Sequence, residues 1–231
     1  MIIRSTDKGE RPEGSMQDED HVQKRDKREA ILQAALELIA EHGFQHTPMS
    51  LISKRSKASA GIIYHYFKSK DDLLQSLYLR IKGDMGRAWL AADDSQQPLA
   101  KRFQSLWLVI FRYCLAHPQE MAFVEQYESL PIAKQQNVGP QNEARTLDDL
   151  LTDLRTQNLI EDLPLEGKAL YSLIADLRAQ DLIKDLPLEV IGEFTLGMAL
   201  KLARQSSAGL VSIDETTLTE IARACWDAIA R

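Results

Sequence analysis

Residues 28–74 read REAILQAALELIAEHGFQHTPMSLISKRSKASAGIIYHYFKSKDDLL, and the order of signals in this stretch decides the fold. Ile31, Ala34, Ala35, Leu38 and Ile39 recur at spacings of three and four, which predicts one amphipathic helix over about 25–42. His42-Gly43 ends it, with Gly43 suited to the left-handed position beyond a helix end, and Phe44 follows as a core plug. Thr47 is placed to cap a second helix over about 48–55. Pro48 then sits at its first position, where a missing N–H is harmless. Leu51 and Ile52 face inward. A turn at Ser56-Lys57-Ala58 leads to Ser59, a good cap for a third helix of only 60–66. Ser69 caps a fourth helix that starts near Lys70 and runs to about Ala91. Asp71 and Asp72 suit the positive end of that helix.

Two short helices joined by three or four residues suit a helix-turn-helix, whose second helix enters the major groove of DNA. The third helix opens Ser59-Ala60-Gly61-Ile62, and small side chains there let its N-terminus come close to a duplex. The free N–H groups of that turn favour phosphate. Tyr64 and His65 can reach backbone or base edges, and Ile62 a thymine methyl. Thr47 and Lys70 flank the helix, and both can donate to phosphate. Purely structural readings stand beside these: Tyr64 or Tyr66 as core, as Phe67 is; His65 as a solvent-facing spacer; Lys54, Arg55 and Lys57 as a polar face.

The same residues resemble the DNA-binding domain of the tetracycline-repressor-like (TetR) family. REAILQAALELIAEHGF is similar to the family's first helix and glycine-aromatic turn. SAGIIYHYFKSKDDLL is similar to its most distinctive element, a Ser-x-Gly-x-aliphatic-Tyr-x-His/Tyr-Phe-x-x-Lys-x-x-Leu pattern. The resemblance is close over residues 28–74 and weaker beyond, where HPQEMAFVEQYESLP looks like the sixth helix of some members. It implies a phosphate contact for Thr47, a cap for Ser59 and an exposed first turn at Ala60, Gly61 and Ile62. It also implies a backbone or base contact for Tyr64, a groove-facing position for His65 and a phosphate contact for Lys70. Two residues depart from the pattern. Ala60 stands where Lys or Arg is common, which removes a donor. Lys57 stands where the turn usually has Gly, and a left-handed backbone would cost it about 1 kcal/mol or more. That turn is therefore either reshaped or supplied with an additional DNA contact by Lys57.

Outward from this stretch, residues 1–21 are polar, acidic and aperiodic, and their composition predicts a disordered tail. The charge is uneven. Residues 22–82 carry eleven Lys/Arg against six Asp/Glu, whereas residues 83–231 carry fourteen against twenty-two, within a net charge of -6. A basic module on an acidic body suits a protein whose smaller part meets phosphate, and overall acidity argues against a nonspecific nucleic-acid coat. Cys114 and Cys225 sit in helix-like apolar patterns and read as buried thiols. No apolar run has signal-peptide or membrane-span character, which predicts a soluble cytoplasmic protein. No metal cluster, phosphate loop or nucleophile-His-acid spacing points to an enzyme, a metal or a cofactor.

Towards the C-terminus the pattern stays helical, with no strand-like alternation. Helices are expected over about 98–116, 118–129, 187–205 and 214–230. Residues 151–166 (LTDLRTQNLIEDLPLE) and 174–189 (IADLRAQDLIKDLPLE) match at eleven of sixteen positions, a local duplication that reads as one extra helical hairpin arm. Each copy ends a helix near Asn158 or Asp181, and Asp162 or Asp185 is placed to cap the helix that follows. The 187–205 segment is apolar over more than one face, so either a partner subunit or the centre of its own domain must cover it.

These readings give an all-α protein. An N-terminal three-helix helix-turn-helix domain (22–70) joins a larger helical effector-binding and dimerisation domain (71–231). The resemblance implies a homodimer formed through helices 187–205 and 214–230 and a double-stranded palindromic operator. It also implies a small-molecule pocket, with Trp107, Phe111, Met121, Phe123, Tyr127 and Tyr171 as candidate lining. Each of these is also a reasonable core residue. The few charges in the 103–111 stretch favour an apolar or aromatic effector. The implied function is a ligand-released repressor. The alternatives are an effector domain that binds a protein and holds no small molecule, or an activator.

Overall fold

The computed structural model describes residues 13–130, 173–174 and 176–231. Its helices, in chain order, are α1 (Glu13–His42), α2 (Met49–Ser56), α3 (Ala60–Tyr66), α4 (Lys70–Ala92), α5 (Leu99–Ala116) and α6 (Pro118–Glu128). Then follow α7 (Leu188–Gly192), a π-helical turn (Glu193–Gly197), α8 (Met198–Ser207) and α9 (Glu215–Ile229). The all-α expectation holds. Two compact units are present, Met1–Leu74 and Gln75–Arg231, and the division falls inside α4.

In the first unit α1 begins at Glu13, so residues 13–21 are helical and not part of a disordered tail. From Ser15 to His42 there is neither Gly nor Pro, so nothing in the backbone chemistry stops the helix earlier. Composition suggested disorder because a polar helix has no apolar stripe to reveal it. The helix ends as expected: Gly43 takes φ +77 and its N–H bonds Ile39 O at 2.7 Å. The predicted stripe is buried, together with Leu32 and Leu36. It packs against α2 and α3.

The second unit is built on α5. Phe103, Leu106, Trp107, Ile110, Phe111 and Cys114 are buried on it, and α8 and α9 both pack against this helix. The small residues Ala199, Ala203 and Ala222 in those last helices are completely buried and permit close approach. Burial within the chain's own domain therefore accounts for Ile191, Thr195, Ala199 and Ala203. Of the 187–205 segment, Val190 and Leu200 remain exposed. The Cys114 thiol is pushed up to about 12 and Cys225 is also raised, both mainly by burial, as expected of core thiols.

The first copy of the duplication lies outside the described residues. In the second, Asp181 takes φ +54, and Leu182 N–H bonds Leu177 O at 3.0 Å, which ends the preceding helical turn where expected. Asp185 pairs with Arg178 at 3.3 Å, and the N–H groups of Val190 and Ile191 in α7 bond Pro187 O. The segment is tied to the C-terminus by an antiparallel bridge between Ile183 and Ala230, by Lys184 donating to Asp227 O and Ala228 O, and by the Arg231–Asp181 pair.

One buried ion cluster was not legible as such. Arg102 is 2% exposed and donates to both Asp93 oxygens at 2.6 and 2.7 Å and to Asp176 at 2.5 Å. The bonds to Asp93 hold its guanidinium above the ordinary arginine range. The cluster joins the α4–α5 loop, α5 and the helical turn that holds Asp176. Arg102→Ala should destabilise the protein by up to about 3–5 kcal/mol, because the largely buried Asp93 loses its cation, whereas Asp176, 48% exposed, is screened by water. Equilibrium urea unfolding measures this, and a loss under 1 kcal/mol would be the wrong outcome for a buried pair.

Candidate nucleic-acid interface and effector cavity

The expected reading head is built around a left-handed turn. Ser53 Oγ donates to Ala58 O at 2.6 Å, closing the chain over Lys57, which takes φ 57 and ψ 18. The turn has therefore kept the shape usually given to Gly and placed a lysine in it. Beyond it, Ser59 caps α3 as expected, accepting the Ile62 N–H at 3.3 Å. Ile63 and Phe67 are each 1% exposed and anchor one face of α3, and the Arg28 guanidinium lies over the Phe67 ring at 5.3 Å.

Anchoring that face turns the other outward. Ala60, Gly61 and His65 are exposed, Ile62 is half-buried, and Tyr64 is 56% exposed, which rules out the core reading of its ring. Tyr66 is half-buried, edge-on to His65 at 5.2 Å. Helix α4 opens with a reciprocal cap: Ser69 Oγ accepts the Asp72 N–H at 3.1 Å, and Asp72 accepts the Lys68 N–H at 2.7 Å.

Two expected contacts need correction or narrowing. Thr47 is 0% exposed, and its hydroxyl donates back to Leu38 O and Gly43 O at 3.2 and 2.9 Å. It locks the end of α1 and has no face for a phosphate. Nor does it cap α2: Pro48 holds the cap position and its carbonyl accepts the first helical bonds. Lys70 is half-buried and donates to Phe44 O, and burial lowers its pKa. One of its three N–H groups is thus engaged within the unit. Arg55 is paired with Glu41 at 3.0 and 2.8 Å and with Glu37 at 3.3 Å. Lys54 and Lys57 are further exposed cations around the turn.

The candidate effector residues separate. Trp107 lines an apolar cavity of about 20 Å³, together with Trp89, Phe103, Leu106, Ile110, Leu173 and Thr195. Met121 lines a different hollow, an open groove of about 500 Å³ between α6 and α8 with Leu200, Lys201 and Arg204. Phe111, Phe123 and Tyr127 line neither. Phe111 stacks on Trp107 at 6.0 Å, and Tyr127 stacks on both Phe123 and Tyr78, so these rings fill the core. Tyr171 lies outside the described residues. Trp89 and Thr195 went unnoticed in the sequence. Trp89 could have been found, because it continues the spacing of Leu77, Ile81 and Met85 along α4.

Comparison with known proteins matches both parts of the chain. Residues 31–77 match the model of the tetR family of bacterial regulatory proteins, and residues 98–174 and 165–230 match a tetracyclin repressor-like C-terminal domain. An uncharacterized HTH-type transcriptional regulator of Haemophilus influenzae is 34% identical over 47% of this chain, an alignment spanning 58% of the relative's length. A fatty acid metabolism regulator protein of Bacillus subtilis is also 34% identical, over 57% of this chain and 69% of its own. A TetR-family regulator from Marinobacter aquaeolei shares the fold, with TM-score 0.72 and 20% identity over 91% of this chain and 98% of its own.

Left-handed backbone costs a non-glycine residue roughly 1–2 kcal/mol, and Gly returns part of that as unfolded-state entropy. Lys57→Gly should therefore raise the unfolding free energy by up to about 1 kcal/mol. A rightward shift of the urea midpoint would show it, and a leftward shift would mean that the lysine side chain stabilises the turn.

Proposed function

The chain belongs to the TetR family of bacterial transcriptional regulators; from that premise we propose that it is a homodimeric repressor released from a palindromic operator by a small, largely apolar ligand. Sequence-specific DNA binding and regulation come with the family, whose members are generally non-catalytic. The observation that carries the reading is the exposed face of α3, with Ala60, Gly61, Tyr64 and His65 turned out by the burial of Ile63 and Phe67. Lys57 and Lys54 lie beside it to meet phosphate, and Lys70 retains two further donors. Val190 and Leu200 are exposed apolar residues available to a partner copy. With two reading heads per dimer, a ligand that prefers one spacing of them over the other shifts the population that fits DNA. No described helix is long and apolar enough to cross a membrane.

A second reading has an observation of its own. The core around Trp107 is filled apart from about 20 Å³, which favours an effector domain that answers to a protein partner. A ligand of ordinary size needs several hundred Å³, so the small-molecule reading requires the core to open.

The protein should bind DNA from its own upstream region with an affinity that falls steeply with salt. Tyr64→Ala should weaken that binding by about 1–3 kcal/mol, roughly tenfold or more, with an unchanged thermal melt. Light scattering at micromolar concentration should give twice the chain mass for both proteins. Unaltered affinity in the variant removes Tyr64 from the interface, and a monomer removes the dimer.

A further inference from the structure

The second copy of the duplication, with Leu173 before it, is built into the body of its unit. Leu173, Ile174, Leu177 and Ile183 are 3, 6, 1 and 1% exposed and belong to the core that holds Phe103, Trp107 and Ile229. Asp176 meets the buried Arg102 of α5 at 2.5 Å. Arg178 and Asp185 pair across the turn at 3.3 Å. Two further ties run to the end of α9. Lys184 Nζ donates to Asp227 O at 3.0 Å and to Ala228 O at 2.9 Å, and Asp181 pairs with Arg231 at 2.7 Å. Together α5 and the end of α9 form a seat for this segment.

The first copy repeats the groups that fill the seat. Leu150, Leu154 and Ile160 stand for Leu173, Leu177 and Ile183, and Leu151 for Ile174, a swap that conserves volume. Asp153 stands for Asp176, and Arg155 with Asp162 for the Arg178–Asp185 pair. Asn158 stands for Asp181, whose φ of +54 is a left-handed backbone that Asn tolerates. The two stretches that match the C-terminal domain, 98–174 and 165–230, each contain one whole copy. Among the contacts named, the polar differences fall on the ties to α9. Asn158 has no charge for Arg231. Glu161, in place of Lys184, would set a carboxylate against carbonyls at the negative end of a helix. The core contacts are duplicated and the helix-end contacts are not.

We propose that the seat takes either copy: residues 150–163 of the same chain exchange in it with residues 173–186, and Lys184 and Asp181 give the second copy its preference. The chain is long enough for this. The roughly twenty residues between the end of α6 and residue 150 reach about 70 Å when extended, several times the radius of about 15 Å of a domain this size. The entropy of closing such loops changes only slowly with their length. Two packings of one chain that differ by a few polar contacts meet the condition for a two-state element. In the described state the turn leads through Pro187 directly into α7. In the exchanged state a full repeat length lies between them, so exchange uncouples the seated turn from α7. None of this depends on what the domain binds.

Disulfide trapping in the full-length chain tests the exchange. Ile183 and Ala230 are bridged by the Lys184 N–H to Ile229 O and the Arg231 N–H to Leu182 O. That is the non-hydrogen-bonded kind of antiparallel pair, with Cα atoms about 4.5 Å apart and within reach of a disulfide. Ile183→Cys with Ala230→Cys should therefore oxidise readily in a glutathione buffer and serves as the reference. Ile160→Cys with Ala230→Cys should give the 160–230 cystine within one chain, more slowly than the reference. It should still form about tenfold faster than an out-of-register control, Thr156→Cys with Ala230→Cys, because seating raises the local concentration. Peptide mapping of the unreduced protein separates these bonds from any that involve Cys114 or Cys225. Adding Asn158→Asp and Glu161→Lys leaves the second copy untouched. It should raise the 160–230 rate about fivefold, the combined worth of an exposed ion pair and a helix-end cation. A 160–230 rate no greater than that of the control overturns the exchange. A rate unmoved by the added substitutions overturns the preference assigned to Lys184 and Asp181. A 160–230 bond that forms only between chains overturns exchange within the chain.

Discussion

A seven-residue helix has no stability of its own in water, so α3 exists only because Ile63 and Phe67 are buried. That burial is the constraint on which the reading head depends. It sets the rotation of α3 and thereby decides that Tyr64 and His65 face outward. The supports are arranged around it. Ser59 satisfies an N–H at the helix start, Arg28 covers the Phe67 ring, and Ser53 closes the turn before it. Thr47 belongs to this supporting set. Its hydroxyl ties together the end of α1.

In the second unit α5 has the corresponding role. Its buried residues recur every three to four positions and meet α8 and α9 through small side chains that allow close packing. The apolar character of the 187–205 segment has two sources as a result. The buried stripe serves the domain's own core, while Val190 and Leu200 are exposed and Phe194, Leu196, Met198 and Leu202 are partly exposed. Polar groups inside this unit fall into two kinds. Arg102 is fully matched by two carboxylates, which makes it a structural tie. The Trp89 indole N–H and the Ser206 hydroxyl are buried with no hydrogen-bond partner among the described residues.

Local chemistry determined much of the molecule before any tertiary contact was known. The all-α class, the Gly43 stop, the Ser59 cap, the short helices α2 and α3, and the end of the helical turn at Asp181 all follow from neighbours a few residues apart. Such signals are readable because helix periodicity, capping and left-handed stops act over one or two turns. The extent of α1 was missed for the opposite reason. Residues 13–21 have helix-forming chemistry but no apolar stripe to announce it.

What the sequence determined by itself was which residues are capable of DNA contact or of lining a pocket. Which of them are available was decided only by tertiary structure. Thr47, a plausible phosphate donor on paper, is enclosed by the end of α1. Phe111, Phe123 and Tyr127, plausible lining, stack into a filled core. Trp89 and Thr195, unremarked in the sequence, meet across a cavity although more than one hundred residues separate them. Availability depends on which groups from distant parts of the chain converge and on whether their hydrogen bonds are satisfied. Composition and spacing record neither.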